Sequence, residues 1–265
     1  MSRTKRINRT LLYGEGLFET LRVYPGRKVP LLKKHCRRMA EGAEFFGFPF
    51  SPPAFAEAAE WGLQQIPEEA EARLRVTLEV FGEKGPEETG FLTHSSALTV
   101  TDWNHQEGVR LISAPFSRSS CSPLLAFKTT NYFENSYARQ WARRQGFYDA
   151  LFFNERREIT ETTTANLLLV RGRTLVTPPV SAGLLPGIAR HLLLLIAKEV
   201  GLSVEEHPIT TADLQEAEEV LISNVVVEAL PVREIAGVYT SRSPFDRTRS
   251  LWAAYRENIL VWEKE

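Results

Sequence analysis

Three pieces of one stretch decide the reading of this chain: SPLLAFKTTNYFENSYARQWARRQG at 122–146, REITETTTANLLLV at 157–170, and TPPVSAGLLPGIARHLLLLIAKEVG at 177–201. They present, in order, Lys128 after the apolar run 124–127, Glu161 in a threonine-rich turn ahead of a strand, and a Pro186-Gly187 step that opens a helix. An amine set among apolar residues is desolvated, which lowers its pKa and frees its lone pair for carbonyl chemistry. A carboxylate holds a proton on a basic group that faces it. A helix begun at Gly187 without a Ser, Thr, Asp or Asn cap leaves its first N–H groups to an anion.

Working outward, the strands DALFF, NLLLV and TLVT surround these parts, with turns at 154–157 and 171–173. The helix 187–201, a strand near 202–205, a polar helix near 211–217 and the strand EVLIS follow. Before Gly146, a helix over 132–145 carries Phe133, Tyr137 and Trp141 four apart, a stripe that predicts core packing. Further back, LLYGEGLFETLRVY reads as a glycine turn and a strand, with Phe18, Thr20 and Arg22 on one face and Glu19, Leu21 and Val23 on the other. The spacing of Leu32, Cys36, Met39, Ala43 and Phe46 predicts an amphipathic helix over 31–48. A second helix over 53–66 has Pro near its first turn. RLRVTLEVF, SALTVTDW and GVRLISAPF read as strands. The serine-rich segment 117–123, closed by Pro123, is the expected linker between a small α+β domain at 1–116 and a larger domain at 124–265.

The 265 residues suffice for one large or two modest domains with ample core. A net charge of −1 lacks the basic excess of a nucleic-acid binder. Arg3, Lys5, Arg6 and Arg9 read as a solvated tail. Two cysteines, Cys36 and Cys121, provide neither a disulfide framework nor a zinc site, and no histidine pair has metal-ligand spacing. The N-terminus lacks the apolar segment of a signal peptide, and the apolar run 192–197 is too short to span a bilayer. A soluble, cytoplasmic protein is the expectation, with no nucleic-acid or membrane partner.

A lysine, an acid and a bare helix N-terminus are also what pyridoxal phosphate requires: an amine for its aldehyde, a carboxylate for its ring nitrogen, and N–H groups for its phosphate. Lys128-Thr129-Thr130-Asn131-Tyr132, Thr160-Glu161 followed by small residues and Asn166, and Leu185-Pro186-Gly187-Ile188-Ala189-Arg190 together resemble the class IV aminotransferases, the fold type IV pyridoxal phosphate enzymes. The resemblance implies a two-domain α/β fold of α+β type, its larger domain built of short strands in a barrel-like arrangement with flanking helices. It makes Lys128 the Schiff-base and proton-transfer residue, Tyr132 a partner of the cofactor's phenolic oxygen and Glu161 the partner of its ring nitrogen. Thr164, Ala165 and Asn166 would line the same turn. Leu185, Gly187, Ile188 and Ala189 would form the phosphate cup, with Ser223, Asn224 and Val225 as a second phosphate loop. Arg38, in His35-Cys36-Arg37-Arg38-Met39, would clamp the phosphate with its planar fork.

Three positions depart from the family pattern. Thr162 stands where glycine commonly follows the acid, Ala189 where threonine is usual, and Val225 replaces the second loop's hydroxyl, which Ser223 or Asn224 could replace. Within the family, Phe18-Glu19-Thr20 resembles the 4-amino-4-deoxychorismate lyases rather than the Phe-Glu-Gly of branched-chain enzymes. This implies a lyase giving 4-aminobenzoate and pyruvate, with Thr20 positioning the leaving group or relaying a proton. Tyr13, Phe18, Arg75 and Lys84 are substrate-contact candidates, the last two for its carboxylate. A branched-chain or D-amino acid aminotransferase is the alternative, and a non-catalytic relative a further one. A homodimer acting on a small-molecule amino substrate is implied by resemblance alone.

Overall fold

The computed structural model describes residues 7–261, so Arg3, Lys5 and Arg6 of the expected basic tail lie outside the described residues. Two compact units form, one from Met1–Thr99 with Phe127–Tyr132 and the other from Val100–Ala126 with Phe133–Glu265.

The first unit holds α1 (Arg9–Tyr13), β1 (Gly16–Val23), α2 (Leu32–Phe46), α3 (Pro52–Gln64), β2 (Ala72–Phe81) and β3 (Glu88–Ala97). Its sheet is antiparallel in the order β1-β2-β3. The period-2 alternation foreseen for β1 is present: Leu17, Leu21 and Val23 join Met39 and Ala43 of α2 and Phe55 and Ala59 of α3 in one core. Phe18 and Thr20 leave the opposite face, paired with Thr77 and Arg75. The strand expected at 96–103 is not one. β3 ends at Ala97, and Thr101 caps α4 (Asp102–Glu107) in a capping box with Asn104.

The second unit continues with β4 (Val109–Ser113), α5 (Phe133–Arg144), β5 (Asp149–Phe153), β6 (Ile159–Thr162), β7 (Asn166–Arg171), β8 (Thr174–Thr177), α6 (Ile188–Glu199), β9 (Ser203–Glu206), α7 (Thr211–Glu216), β10 (Glu219–Ser223), β11 (Leu230–Ile235), β12 (Tyr239–Thr240) and α8 (Asp246–Ile259). The order β10-β11-β4-β5-β6-β7 closes on itself because β10 also pairs with β7, giving a six-stranded barrel. Leu111, Leu151, Ile159, Leu167, Leu169, Val220, Ile222 and Val232 fill it. β4 lies between β11 and β5 in this sheet, and Arg118 is buried in the same unit. The expected linker at 117–123 is therefore internal to the second unit, which begins at Val100, and residues 127–132 cluster with the first.

Two outward-facing acids tie α8 to the barrel. Glu219 accepts from the backbone N–H groups of Arg247 (3.0 Å) and Thr248 (2.8 Å) and from the hydroxyls of Ser243 and Thr248, capping a helix whose own N-cap residue, Phe245, has no side-chain acceptor. Glu228 is fully buried and accepts from Trp252 Nε1 at 2.6 Å. On α5 the aromatic stripe does not form core as expected. Ala138 and Ala142 are buried there and Trp141 packs beside them, whereas Phe133 is 78% exposed and Tyr137 49%.

Candidate active site

Glu161 lies in β6, not in a turn; the turn is 163–165 behind it. Leu151 pairs with Thr162 but Phe153 with Ile159, so β6 carries one extra residue, a bulge. Without it Glu161 would share the parity of Ile159 and point into the apolar barrel. With it, Ile159 and Thr162 both face inward, and Glu161 leaves the outer face beside its cross-strand partner Asn166. Asn166 in turn pairs with Ser223 of β10. Glu161, Asn166 and Ser223 thus form one row across three adjacent strands.

Every part of this row is directional. Glu161 is buried; one carboxylate oxygen accepts from Arg118 Nη2 at 2.9 Å, the other from the Leu185 N–H at 3.2 Å and Asn166 Nδ2 at 3.4 Å. Arg118 lies over the Phe152 ring, 3.8 Å from its centroid. The Asn166 amide also donates to the Leu185 carbonyl at 2.8 Å, fixing the chain just before Pro186-Gly187. A Cβ at position 187 would lie 2.0 Å from Asn166 Oδ1, so only glycine fits. Gly187 is the N-cap of α6 and offers no side-chain cap. Ala189 is buried in the first turn, and Arg190 is held by Thr177, the Pro178 carbonyl and Glu206. Behind the turn, buried Asp149 accepts from the hydroxyls of Thr163 and Thr164. Burial pushes its carboxyl above the ordinary range despite these bonds. Ala165 is buried, and the Thr164 carbonyl accepts from Asn224 at 3.0 Å.

In the first unit, the segment carrying Lys128 is laid against β1 by backbone bonds: Phe18 N–H to Lys128 C=O at 2.8 Å and Thr130 N–H to Gly16 C=O at 2.9 Å. Lys128 is half-buried, its Nζ 4.4 Å from the centroid of the Phe18 ring. The same ring meets the Arg75 guanidinium at 3.6 Å and the edge of Tyr132 at 5.4 Å. Thr20 is the register partner of Arg75. Lys128, Phe18, Arg75, Thr20 and Tyr132 thus belong to one cluster, in which burial lowers the Arg75 guanidinium pKa. On the opposite face of β1, Arg38 forks onto Glu19 (2.8 and 2.7 Å), and His35 Nδ1 lies 2.7 Å from the same carboxylate. Burial alone would raise the Glu19 pKa, but Arg38 and His35 outweigh it and hold the carboxyl far below the usual range. Burial pushes His35 down.

Two candidates stand apart. Tyr13 is 60% exposed with Arg9 over its ring. Lys84 is exposed in the turn between β2 and β3, and the six residue steps from Arg75 to Phe81 alone span about 20 Å of strand. Of the two carboxylate candidates, only Arg75 joins the Lys128 cluster. Sequence reading missed Arg118, which lies in the supposed linker 43 residues from its acid. Its only signal was a lone cation among serines.

A sequence model of the family described as amino-transferase class IV matches residues 16–235. The chain belongs to this family. A Methanocaldococcus jannaschii protein provisionally named a branched-chain-amino-acid aminotransferase is 31% identical over 261 residues, 95% of this chain and 90% of that protein. The solved structure of a provisionally named 4-amino-4-deoxychorismate lyase from Legionella pneumophila superposes with a TM-score of 0.86 at 27% identity, covering 95% of this chain and 93% of that one. The branched-chain amino acid aminotransferase of Escherichia coli gives 0.84 at 25% identity, covering 95% and 87%.

Membership of class IV makes this chain a pyridoxal phosphate-dependent enzyme. Its residues fit the cofactor on their own terms. Arg118 Nε and Ser223 Oγ are buried polar atoms with no hydrogen-bond partner. The row that Arg118 flanks and Ser223 ends combines a fixed carboxylate with an uncapped helix N-terminus whose approach admits no side chain at Gly187.

Proposed function

We propose that this enzyme is a 4-amino-4-deoxychorismate lyase that releases 4-aminobenzoate and pyruvate. One observation carries the reading: Thr20, which stands where branched-chain enzymes resemble one another in having glycine, presents a hydroxyl on the sheet face that also carries Phe18 and Arg75, the latter its register partner. Lys128 lies on the same Phe18 ring. Transfer of an amino group does not call for that hydroxyl, whereas expulsion of an enolpyruvyl group does.

In this reading Lys128 would hold the cofactor through its aldehyde carbon. The Lys128 Nζ, when not so engaged, would remove the proton from the substrate ring carbon that bears the amine. When bound, the protonated pyridine ring accepts the electron pair this releases. Glu161 would keep the proton on the ring nitrogen, its carboxylate held in place by Arg118 at 2.9 Å. Arg75 would bind a substrate carboxylate, with Phe18 excluding water beneath it. Thr20 would relay the proton taken up by Lys128 to the ether oxygen at which the enolpyruvyl group departs, so that its own hydroxyl is regenerated as the stored electron pair expels that group. Tyr132 would donate to the cofactor's phenolic oxygen, Arg38 would contact its phosphate, and the first N–H groups of α6 would bind the same phosphate. A cytoplasmic homodimer is part of the proposal; among the described residues no helix is long and apolar enough to cross a membrane.

The test is a side-by-side assay: pyruvate release from aminodeoxychorismate, and amino transfer from branched-chain and D-amino acids to a keto acid. Pyruvate formation with little transfer is expected. Rapid transfer without pyruvate would replace the proposal with its alternative, a class IV aminotransferase acting on branched-chain or D-amino acids; the Methanocaldococcus relative is provisionally named for the branched-chain activity.

A further inference from the structure

The two positions from which class IV resemblance would bring hydroxyls to the phosphate are aliphatic here, Ala189 and Val225. Two polar residues remain at the second loop, and the structure distinguishes them. Asn224 is turned to holding the loop: its Oδ1 accepts from the Val226 and Val227 N–H groups at 2.7 and 2.8 Å, and its amide donates to the Thr164 carbonyl at 3.0 Å. Ser223 is the reverse. It is 0% exposed, and its Oγ has no hydrogen-bond partner. Buried hydroxyls are rarely left so, because desolvation without a partner is costly.

The surroundings name the missing partner. Ser223 is the cross-strand neighbour of Asn166, so both side chains leave β10 and β7 on one face of the sheet. Asn166 Oδ1 occupies the space that a Cβ on Gly187 would need, which places Asn166, the neighbour of Ser223 on the adjacent strand, at the uncapped start of α6. Asn166 itself is turned to Leu185 and Glu161. A hydroxyl donor thus stands beside a helix N-terminus, the arrangement that binds an anionic oxygen.

We infer that Ser223 donates its hydroxyl proton to the phosphate of the bound cofactor, supplying the hydroxyl contact that Ala189 and Val225 lack. This rests on the pyridoxal phosphate reading, and the experiment separates the two. Dissociation constants of pyridoxal phosphate and of pyridoxal, which lacks the phosphate, are measured by absorbance for the wild-type enzyme, Ser223→Ala and Ser223→Ala/Val225→Thr. Ser223→Ala is expected to weaken pyridoxal phosphate roughly ten- to a hundredfold, as loss of a hydrogen bond to a charged group does, and to leave pyridoxal unchanged. The added threonine is expected to restore most of the loss. Unchanged affinity for pyridoxal phosphate in Ser223→Ala, or equal weakening of both ligands, overturns the inference while the cofactor reading stands. Failure of the wild type to bind either ligand overturns both. Should Ser223→Ala not fold, Ser223→Cys, close in size and a weak donor, reads the same way: selective weakening supports the assignment, and wild-type affinity refutes it.

Discussion

The Lys128 cluster and the Glu161 row are built on different principles. Around Lys128, two cations and a phenol ring share the face or edge of one aromatic ring, Phe18, and Lys128 is positioned through its backbone bonds to β1. Around Glu161, strand register sets the side chains, and the carboxylate accepts from an arginine, an amide and a backbone N–H. Contact with a π face is broad and weakly directional, and an ammonium on a four-carbon stem can exchange partners without disturbing its surroundings. A ladder-fixed carboxylate cannot. The difference suits the two tasks proposed for them: the amine would form and release a bond in each turnover, while the acid would stay opposite one ring nitrogen throughout.

The sharpest way to break this contrast is Lys128→Ala. Turnover should fall on the order of 10^4-fold while the melting temperature stays near that of the wild type. A parallel collapse of stability would show that the lysine is structural. Glu19→Gln probes the far face of β1, where the contrast predicts a stability defect. Leaving Arg38 without its charged partner should cost about 3–5 kcal/mol at pH 7. Because the Glu19 carboxyl lies far below its unfolded range, its contribution is complete above that range and is lost as the pH falls. The gap between wild type and Glu19→Gln in urea unfolding should therefore narrow below about pH 5, and a gap independent of pH would contradict the ion-pair account. Glu161→Gln should have the smallest effect of the three, lowering turnover on the order of a hundredfold with cofactor still bound. Full activity in this variant would remove the acid from its assigned role.

These two regions were unequally visible in the sequence. Lys128-Thr129-Thr130-Asn131-Tyr132 and Leu185-Pro186-Gly187 are local patterns, so they could be read, as could β1 and α2 from their periodicity. The sequence offers Glu161 as the candidate acid but reads it in a turn, because nothing local reveals a bulge; the bulge appears only when β5 supplies the register. Arg118 was hidden for the same reason, since its purpose lies 43 residues away. The aromatic stripe on α5 misled because spacing shows which residues share a face but not whether anything covers it; the small Ala138 and Ala142 form the packed face there. The domain boundary was displaced because serine and proline also occur in ordered segments, and the parallel pairing of β4 with β5 and β11 has no local signature.

The helix α8 has a consequence for biosynthesis. The barrel's closing strand, β10, carries Glu219, and the loop after it carries Glu228; both acids are buried against donors that belong to residues 243–252. While the ribosome has yet to deliver that segment, both carboxylates lack these donors and resist being sealed from water. The unit that carries the Glu161 row must then be the last part of the nascent polypeptide to settle, and stalled or clipped chains should emerge open and unable to load coenzyme.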